Sequence, residues 1–283
     1  MTGKKTSERG FGTRCIVLAV FLASIGAILS LYASPLRRFI HESFMQRVTS
    51  AHYEILCPPG ALTQDAMRQF ASQRESLFAD LDGKLRDAGS NTEIRVVFDT
   101  EPSAAAVGTG APQPYTVSGT TIRTKLSGPT PQLDPAADAE ALLYLAWGKP
   151  GSPEVARWAA ISLSGKWQGE DLGMAAAGAE QRLGHQKVSS LLARQSGGIS
   201  SRSDRSLLGA AWVSEIVEFG GPAAVRKLYS AKVADLNEAG AAQILGTTPA
   251  ELERKWQLWM YAYLAGMPAA SSSMPMDMKM GGQ

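Results

Sequence analysis

Asp134-Pro135-Ala136-Ala137-Asp138-Ala139-Glu140-Ala141-Leu142-Leu143-Tyr144-Leu145-Ala146-Trp147 and, after Gly148-Lys149-Pro150-Gly151, Ser152-Pro153-Glu154-Val155-Ala156-Arg157-Trp158-Ala159-Ala160-Ile161-Ser162-Leu163 form the stretch on which this chain turns. Each half opens on an oxygen-bearing cap residue followed by Pro, which suits the first helical position because its missing N–H has no partner there anyway. The Gly/Pro break between them stops the first helix. The stretch therefore predicts two short helices in sequence.

Working outward, Tyr53 to Cys57 reads as a short strand ended by Pro58-Pro59-Gly60. Leu62 to Ala88 is the clearest amphipathic helix, with Met67, Phe70, Leu77, Phe78, Leu81 and Leu85 at spacings of three, four and seven. Glu93 to Asp99 is a strand by length and β-branched content. Thr100 to Pro114 is Ala/Gly/Pro-rich and reads as a loop. Tyr115-Thr116-Val117 and Thr120 to Leu126 flank Ser118-Gly119, which predicts a hairpin. From Pro135 onward the pattern is helical, with Pro135, Pro153, Pro222 and Pro249 each near a helix start. Thr248-Pro249-Ala250-Glu251 is a capping box. Leu208, Trp212, Ile216 and Phe219 mark one buried face, and Leu252, Trp256, Trp259 and Tyr263 another. The expected class is α+β, a strand-helix-strand-hairpin layer followed by a mainly helical half.

The N-terminus bears on location. Cys15 to Ala33 is uncharged and apolar, and at 1.5 Å per residue it matches a bilayer core of about 30 Å. Lys4, Lys5, Arg9 and Arg14 precede it, and Arg37, Arg38 and Arg47 follow. The excess on the N-terminal side favours N-terminus inside and the bulk of the chain outside. Leu31-Tyr32-Ala33 is a poor cleavage site, so an uncleaved anchor is preferred to a cleaved signal. The expected organisation is a cytoplasmic segment 1–14, a transmembrane anchor 15–33, a polar helical stalk 34–51, an outer domain 52–267 and a disordered tail 268–283. This places the protein in the inner membrane, single-pass, with its C-terminal domain extracytoplasmic. Cys15 and Cys57 cannot pair within one chain, and Cys57 reads as a buried, inert thiol.

The 283 residues carry 28 basic and 26 acidic side chains, which gives no concentrated basic face for nucleic acid. No phosphate-cradling GxxxxGK[ST] or GxGxxG is present. The GxSxG elbow is also missing; Ser162 and Ser164 lack its flanking glycines and preceding strand. Glu170-Asp171 reads as an acidic helix start. His52 and His185 have no ligand-spaced neighbours, and His41-Glu42-Ser43-Phe44-Met45 begins like HExxH but ends in Met. No cofactor is expected. Met274, Met276, Met278 and Met280 alternate through the Ser/Gly/Pro tail, and thioethers suit Cu(I), so weak copper binding is one reading of the tail.

The order of elements resembles the gluzincin, or peptidase-MA-like, family of bacterial domains. The resemblance rests on Ser206-Leu207-Leu208-Gly209-Ala210-Ala211-Trp212, on Phe219-Gly220-Gly221, and on Leu245-Gly246-Thr247-Thr248-Pro249-Ala250-Glu251-Leu252-Glu253-Arg254-Lys255-Trp256. It covers Tyr53 to Leu264 and implies a zincin-like architecture. A zinc peptidase of this kind places HExxH on one helix and a third ligand on the next. Here the aligned residues are Ala139-Glu140-Ala141-Leu142-Leu143, and the second-helix run reads Trp158-Ala159-Ala160-Ile161-Ser162. Only the general-base position, Glu140, is retained, and Ile161 stands at the third-ligand position. The resemblance therefore implies a non-catalytic, membrane-anchored domain that binds a peptide or protein partner or acts as a scaffold. Its cleft would lie near Glu140, Tyr144, Trp158 and Ile161. The alternative is a divergent hydrolase using other residues.

Overall fold

Five short strands form the layer on which the helices are built. In the computed structural model the described residues are 42–85, 93–99, 115–126, 131–193 and 201–266. The apolar run 15–33, the loop read at 100–114 and the Met-rich tail lie outside them. No helix among the described residues is long and apolar enough to cross a membrane.

The strands are β1 (Gln46–Thr49), β2 (Tyr53–Cys57), β3 (Ile94–Asp99), β4 (Tyr115–Ser118) and β5 (Thr121–Lys125). They form one mixed sheet in the order β1-β2-β3-β5-β4. The ladders β2/β3 and β3/β5 are parallel, and the two outer ladders are antiparallel. Parallel neighbours need a long crossover, and α1 (Gln64–Leu85) supplies it between β2 and β3. Thr63 sets its start, accepting a hydrogen bond from the Ala66 amide at 3.2 Å. This oxygen cap places the first turn slightly later than the hydrophobic period beginning at Leu62 indicates.

Period-two alternation sorts the two faces. Ile55, Val96, Ile122 and Val117 stand in one row across four strands and belong to the core. The opposite face is laced with ion pairs: Arg47–Glu54 at 3.0 Å, Arg95–Glu54 at 2.5 Å and Arg123–Asp99 at 3.1 Å. Glu42, the acid of the HExxH-like decoy, pairs with Arg123 and Arg95 on that face. Cys57 is free and buried, and burial pushes its thiol up, as an inert role requires.

Part of the region read as a stalk proves to be β1, the edge strand against β2. Its residues are polar because an edge exposes most of its side chains; only Val48 packs on the core. A four-residue polar strand carries no apolar alternation to announce it.

The helical half follows the expected order: α2 (Pro135–Trp147), α3 (Pro153–Ser164), α4 (Leu172–Leu183), α5 (Val188–Leu192), α6 (Arg202–Ser230), α7 (Glu238–Leu245) and α8 (Pro249–Leu264). The N-cap residues are those read from sequence, although the Glu251 carboxylate of the expected capping box is taken by Arg254. Asp134, Ser152 and Thr248 each accept from an amide in the first turn, and Pro follows each. Helix α6 is broken at Gly221, so Pro222 does open a new helical segment. One element departs from the all-helical expectation. Lys166–Trp167 (β6) and Glu170–Asp171 (β7) form a two-residue ribbon closed by Gln168 and Gly169, both with positive φ. Strands this short carry no period. Asp171 nevertheless caps α4 through the Met174 amide at 3.1 Å, as an acidic helix start should.

Helix α3 lies between α2 and α6. Trp158 and Trp212 meet edge to face with centroids 6.4 Å apart, and Gly209 lets the α6 backbone touch the Trp158 indole, where a Cβ would collide with the ring. The expected face on α6 holds at Leu208, Trp212 and Ile216, but Phe219 is exposed, with Lys255 over its ring. The helical segment breaks two residues later, at Gly221.

A buried ion pair ties the two halves. Arg74 on α1 donates through Nη1 to Asp138 Oδ1 on α2 at 2.5 Å, and both side chains are essentially without solvent contact. Removing one member leaves an uncompensated buried charge, so Asp138→Ala should cost about 3–5 kcal/mol in urea denaturation. The double change Arg74→Met/Asp138→Leu should cost less than either single change. Gly209→Ala should cost about 1–3 kcal/mol by overpacking in the same assay.

Candidate functional site

At 3.6 residues per turn, Glu140, Tyr144 and Trp147 fall on one stripe of α2, while Asp138, Leu142 and their neighbours fall on another. The buried pair with Arg74 directs the second stripe inward. Ala139, Leu142 and Leu143 are then wholly in the core. Glu140 and Tyr144 remain half-buried and face the end of the sheet formed by β4, β5 and their turn.

The surroundings of Glu140 are supplied by four elements. From α3, Arg157 brings Nη1 to 3.5 Å from Glu140 Oε2. From β4, Tyr115 presents its ring beneath that guanidinium, 4.3 Å from Cζ to the centroid. The β4–β5 turn brings Gly119 against the Tyr144 ring; a Cβ there would stand 3.5 Å from Cε1. Gly119 has φ 62, the conformation required at the first position of a tight two-residue hairpin loop. From α6, Tyr229 packs edge-on against Trp147 and donates its hydroxyl to the Gly148 carbonyl at 3.0 Å.

This is a charged centre in a partly dry aromatic setting. Burial, and secondarily the Asp134 carboxylate, pushes Glu140 up to about 7. Burial likewise pushes Asp134 up to about 6 and brings Arg157 down to about 10. Burial, with Glu140 and Tyr144 adding to it, raises Tyr229. A carboxyl that titrates near neutrality suits proton exchange with a ligand or substrate.

Of the four residues expected near a cleft, the structure brings Glu140 and Tyr144 together at this surface. Trp158 and Ile161 are packed in the core between α3, α2 and α6. Apolar residues on a helix clamped between two others find more burial there than at a cleft wall. Arg157 was missed, although an arginine inside Val155-Ala156-Arg157-Trp158-Ala159-Ala160-Ile161 is a legible anomaly. Met274, Met276, Met278 and Met280 lie outside the described residues.

The site residues do not fit zinc. The positions that would carry imidazoles are Ala139 and Leu143, 0 % and 1 % exposed, and the third-ligand position is Ile161 at 2 %. None has a donor atom, and all three point into packed hydrocarbon. Among the described residues no group of three or more His, Cys, Asp and Glu side chains is arranged to hold a metal ion. His52 is engaged by Glu75 at 2.7 Å and stacks on Phe78, and His185 lies between Glu180 and Glu253, 2.7 Å from each.

The Glu140 carboxyl 13C signal should titrate with a midpoint near 7, and Arg157→Gln should move that midpoint up, because losing the cation disfavours the charged form. The folded value lies above the ordinary carboxylate value of 4.5. The stability Glu140 contributes is therefore fully present below that value and lost as pH rises through 7. Glu140→Gln should gain stability relative to wild type at pH 8 and not at pH 4, read from urea midpoints at both pH values.

Comparison with protein-family models, with curated proteins and with solved structures finds no match, so the reading of this site rests on its own geometry.

Proposed function

We propose that this chain is a membrane-anchored, extracytoplasmic binding protein, with residues 15–33 as its anchor and a gluzincin-like outer domain that has no zinc chemistry. Its ligand is a peptide or a segment of a partner protein, held between β4 and the Glu140–Tyr144 stripe of α2. One observation carries the reading. Every position at which the resembled peptidases need a metal ligand is sealed into the core here, while the half-buried side of α2 keeps the polar and aromatic Glu140 and Tyr144 beside an edge strand.

The edge supplies a general mode of capture. In the two-residue hairpin the closing pair Ser118–Thr121 exchanges ladder bonds with β5, and alternation turns the Tyr115 and Val117 amides away from β5. An extended peptide adds to such an edge through main-chain hydrogen bonds and gains specificity from side-chain pockets. Tyr144 and Arg157 beside β4 would supply those pockets. A scaffold role would use the same surface.

A divergent hydrolase is the second reading, and the near-neutral titration of Glu140 favours it. The two readings separate on Glu140→Gln, which should abolish turnover in a hydrolase and preserve capture by a binding protein.

A photo-crosslinking amino acid placed at Thr116 or Ser118, both exposed, should give discrete covalent adducts in cells expressing the full-length chain. Val117→Pro removes an outward amide and is compatible with an edge strand; it should eliminate those adducts, with a loss of unfolding free energy because the Val117 side chain also packs on the core, and circular dichroism should show the fold retained. Adducts that survive Val117→Pro, or none at either position, would count against edge capture.

A further inference from the structure

The two histidines among the described residues are held differently. His52 meets one carboxylate, that of Glu75, through Nδ1. His185 has a carboxylate at each ring nitrogen: Nδ1 lies 2.7 Å from Glu180 Oε1, and Nε2 lies 2.7 Å from Glu253 Oε1. An ionised carboxylate only accepts, so each contact needs a proton between nitrogen and oxygen. A neutral imidazole brings one. The trio therefore closes only when it holds a second proton.

These three residues join separate parts of the helical half. Glu180 belongs to α4, His185 to the linker 184–187, and Glu253 to the start of α8. The other Glu253 oxygen accepts from the Val188 amide at 2.9 Å, and Trp256 donates its indole N–H to the Gln186 carbonyl at 2.8 Å. Glu180 accepts from the Gln186 amide at 3.2 Å. The linker is thus a polar attachment for the first turns of α8, beside the apolar contact made by Leu252, Trp256, Trp259 and Met260. We propose that His185 is a proton-operated latch for α8: the helix stays docked while the trio holds its second proton, and its first turns leave the linker when that proton is lost at alkaline pH, uncovering Leu252 and Trp256. This inference does not depend on the reading of the Glu140 surface as a binding site.

The charged groups facing the ring are Glu180 from α4 and Glu253 from α8. Gln257 of α8 adds a neutral amide 3.4 Å from Nε2. Arg182 of α4 is turned to Asp204 of α6, and Arg254 of α8 to Glu251. Helix α5 carries no charged residue, and Lys187 is the remaining charge in the linker. Burial works against the charged ring, but the hydrogen bonds and charges of Glu253 and Glu180 outweigh it, so His185 is held above its ordinary 6.5. Burial raises Glu180 as well; the second proton is held in common by the ring and this carboxyl, and the contact closes with it on either side. A folded value above the unfolded one means that the stability is fully present below 6.5 and is lost as pH rises through the folded value. Burial also pushes Glu215 of α6 up to about 8, with Lys255 of α8 acting against it. Bulk unfolding sums such groups, whereas a readout on α8 separates them.

The experiment is hydrogen exchange on the full-length chain from pH 6 to pH 9, read as protection factors of the α8 amides and the Trp256 indole N–H, with the His185 midpoint taken from ring 13C shifts. Protection in α8 should fall above pH 6.5, in total about tenfold for each unit by which the midpoint exceeds 6.5, and then level off. Glu253→Gln places an N–H opposite Nε2 and leaves an oxygen for the Val188 amide, so the trio closes with a neutral ring. The fall should disappear in this variant, with α8 still protected at pH 8 and the fold retained by circular dichroism. His185→Gln should be poorly protected in α8 already at pH 6, without a slope. Glu215→Gln should keep the wild-type fall between pH 6.5 and the His185 midpoint. No fall in wild type, an equal fall in α3, or a fall that survives Glu253→Gln or His185→Gln would each overturn the latch, and so would a fall removed by Glu215→Gln.

Discussion

The Arg74–Asp138 pair sets the angular position of α2, and the site depends on that angle. Both groups leave water, so the pair holds only if the two helices that carry them stay in register. Arg74 also lies over Phe70, 4.7 Å from Cζ to the ring centroid, which fixes it on the sheet side of α1. With Asp138 drawn toward α1, the next residues along α2 have no freedom. Ala139 and Leu143 go inward with it, and Glu140 and Tyr144 go out.

That orientation of α2 decides which of its side chains are sealed in and which stay near the surface. A metal site would need positions 139 and 143 to reach a shared point with a group on α3. Here those positions are small or aliphatic and are consumed by packing against α3, whose Trp158 is in turn pressed onto Gly209 of α6. The core has closed over the place where ligands would stand. What remains at the surface is one turn of α2 offering Glu140, with Arg157 reaching it from α3 and aromatic rings from β4 and α6. A half-dry surface of that make-up favours the neutral form of an acid and leaves a guanidinium short of acceptors.

The sheet manages its two faces by opposite means. The inner face is a row of aliphatic side chains, and the other face carries Arg and Glu or Asp residues that pair across strands around the buried Leu56 and Val97. The network satisfies the buried Glu54 carboxylate with two arginines, Arg47 and Arg95. Its edges differ as well. β1 is mostly polar, whereas β4 carries the buried Tyr115 and lies beside the Glu140 stripe.

The sequence by itself determined the elements and most of their ends. Asp134, Ser152 and Thr248 with their following prolines act within a few residues, and so does the three-and-four spacing of Met67, Phe70 and Leu81. Most core aromatics were legible for the same reason, Phe219 excepted, and the absence of a ligand atom at positions 139, 143 and 161 needed only residue identities. Only the tertiary structure decided which charged groups meet. Arg74 sits on the apolar stripe of α1, and Asp138 and Arg157 each interrupt an apolar run. Those anomalies were visible, but a partner 64 residues away in the chain was not. It also decided that Gln46–Thr49 is a strand, because an edge is defined by its neighbour and not by its own pattern. Whether Trp158 and Ile161 line a cleft or fill a core was likewise settled by helix packing, since a local period fixes which residues share a face and not which neighbour that face will find.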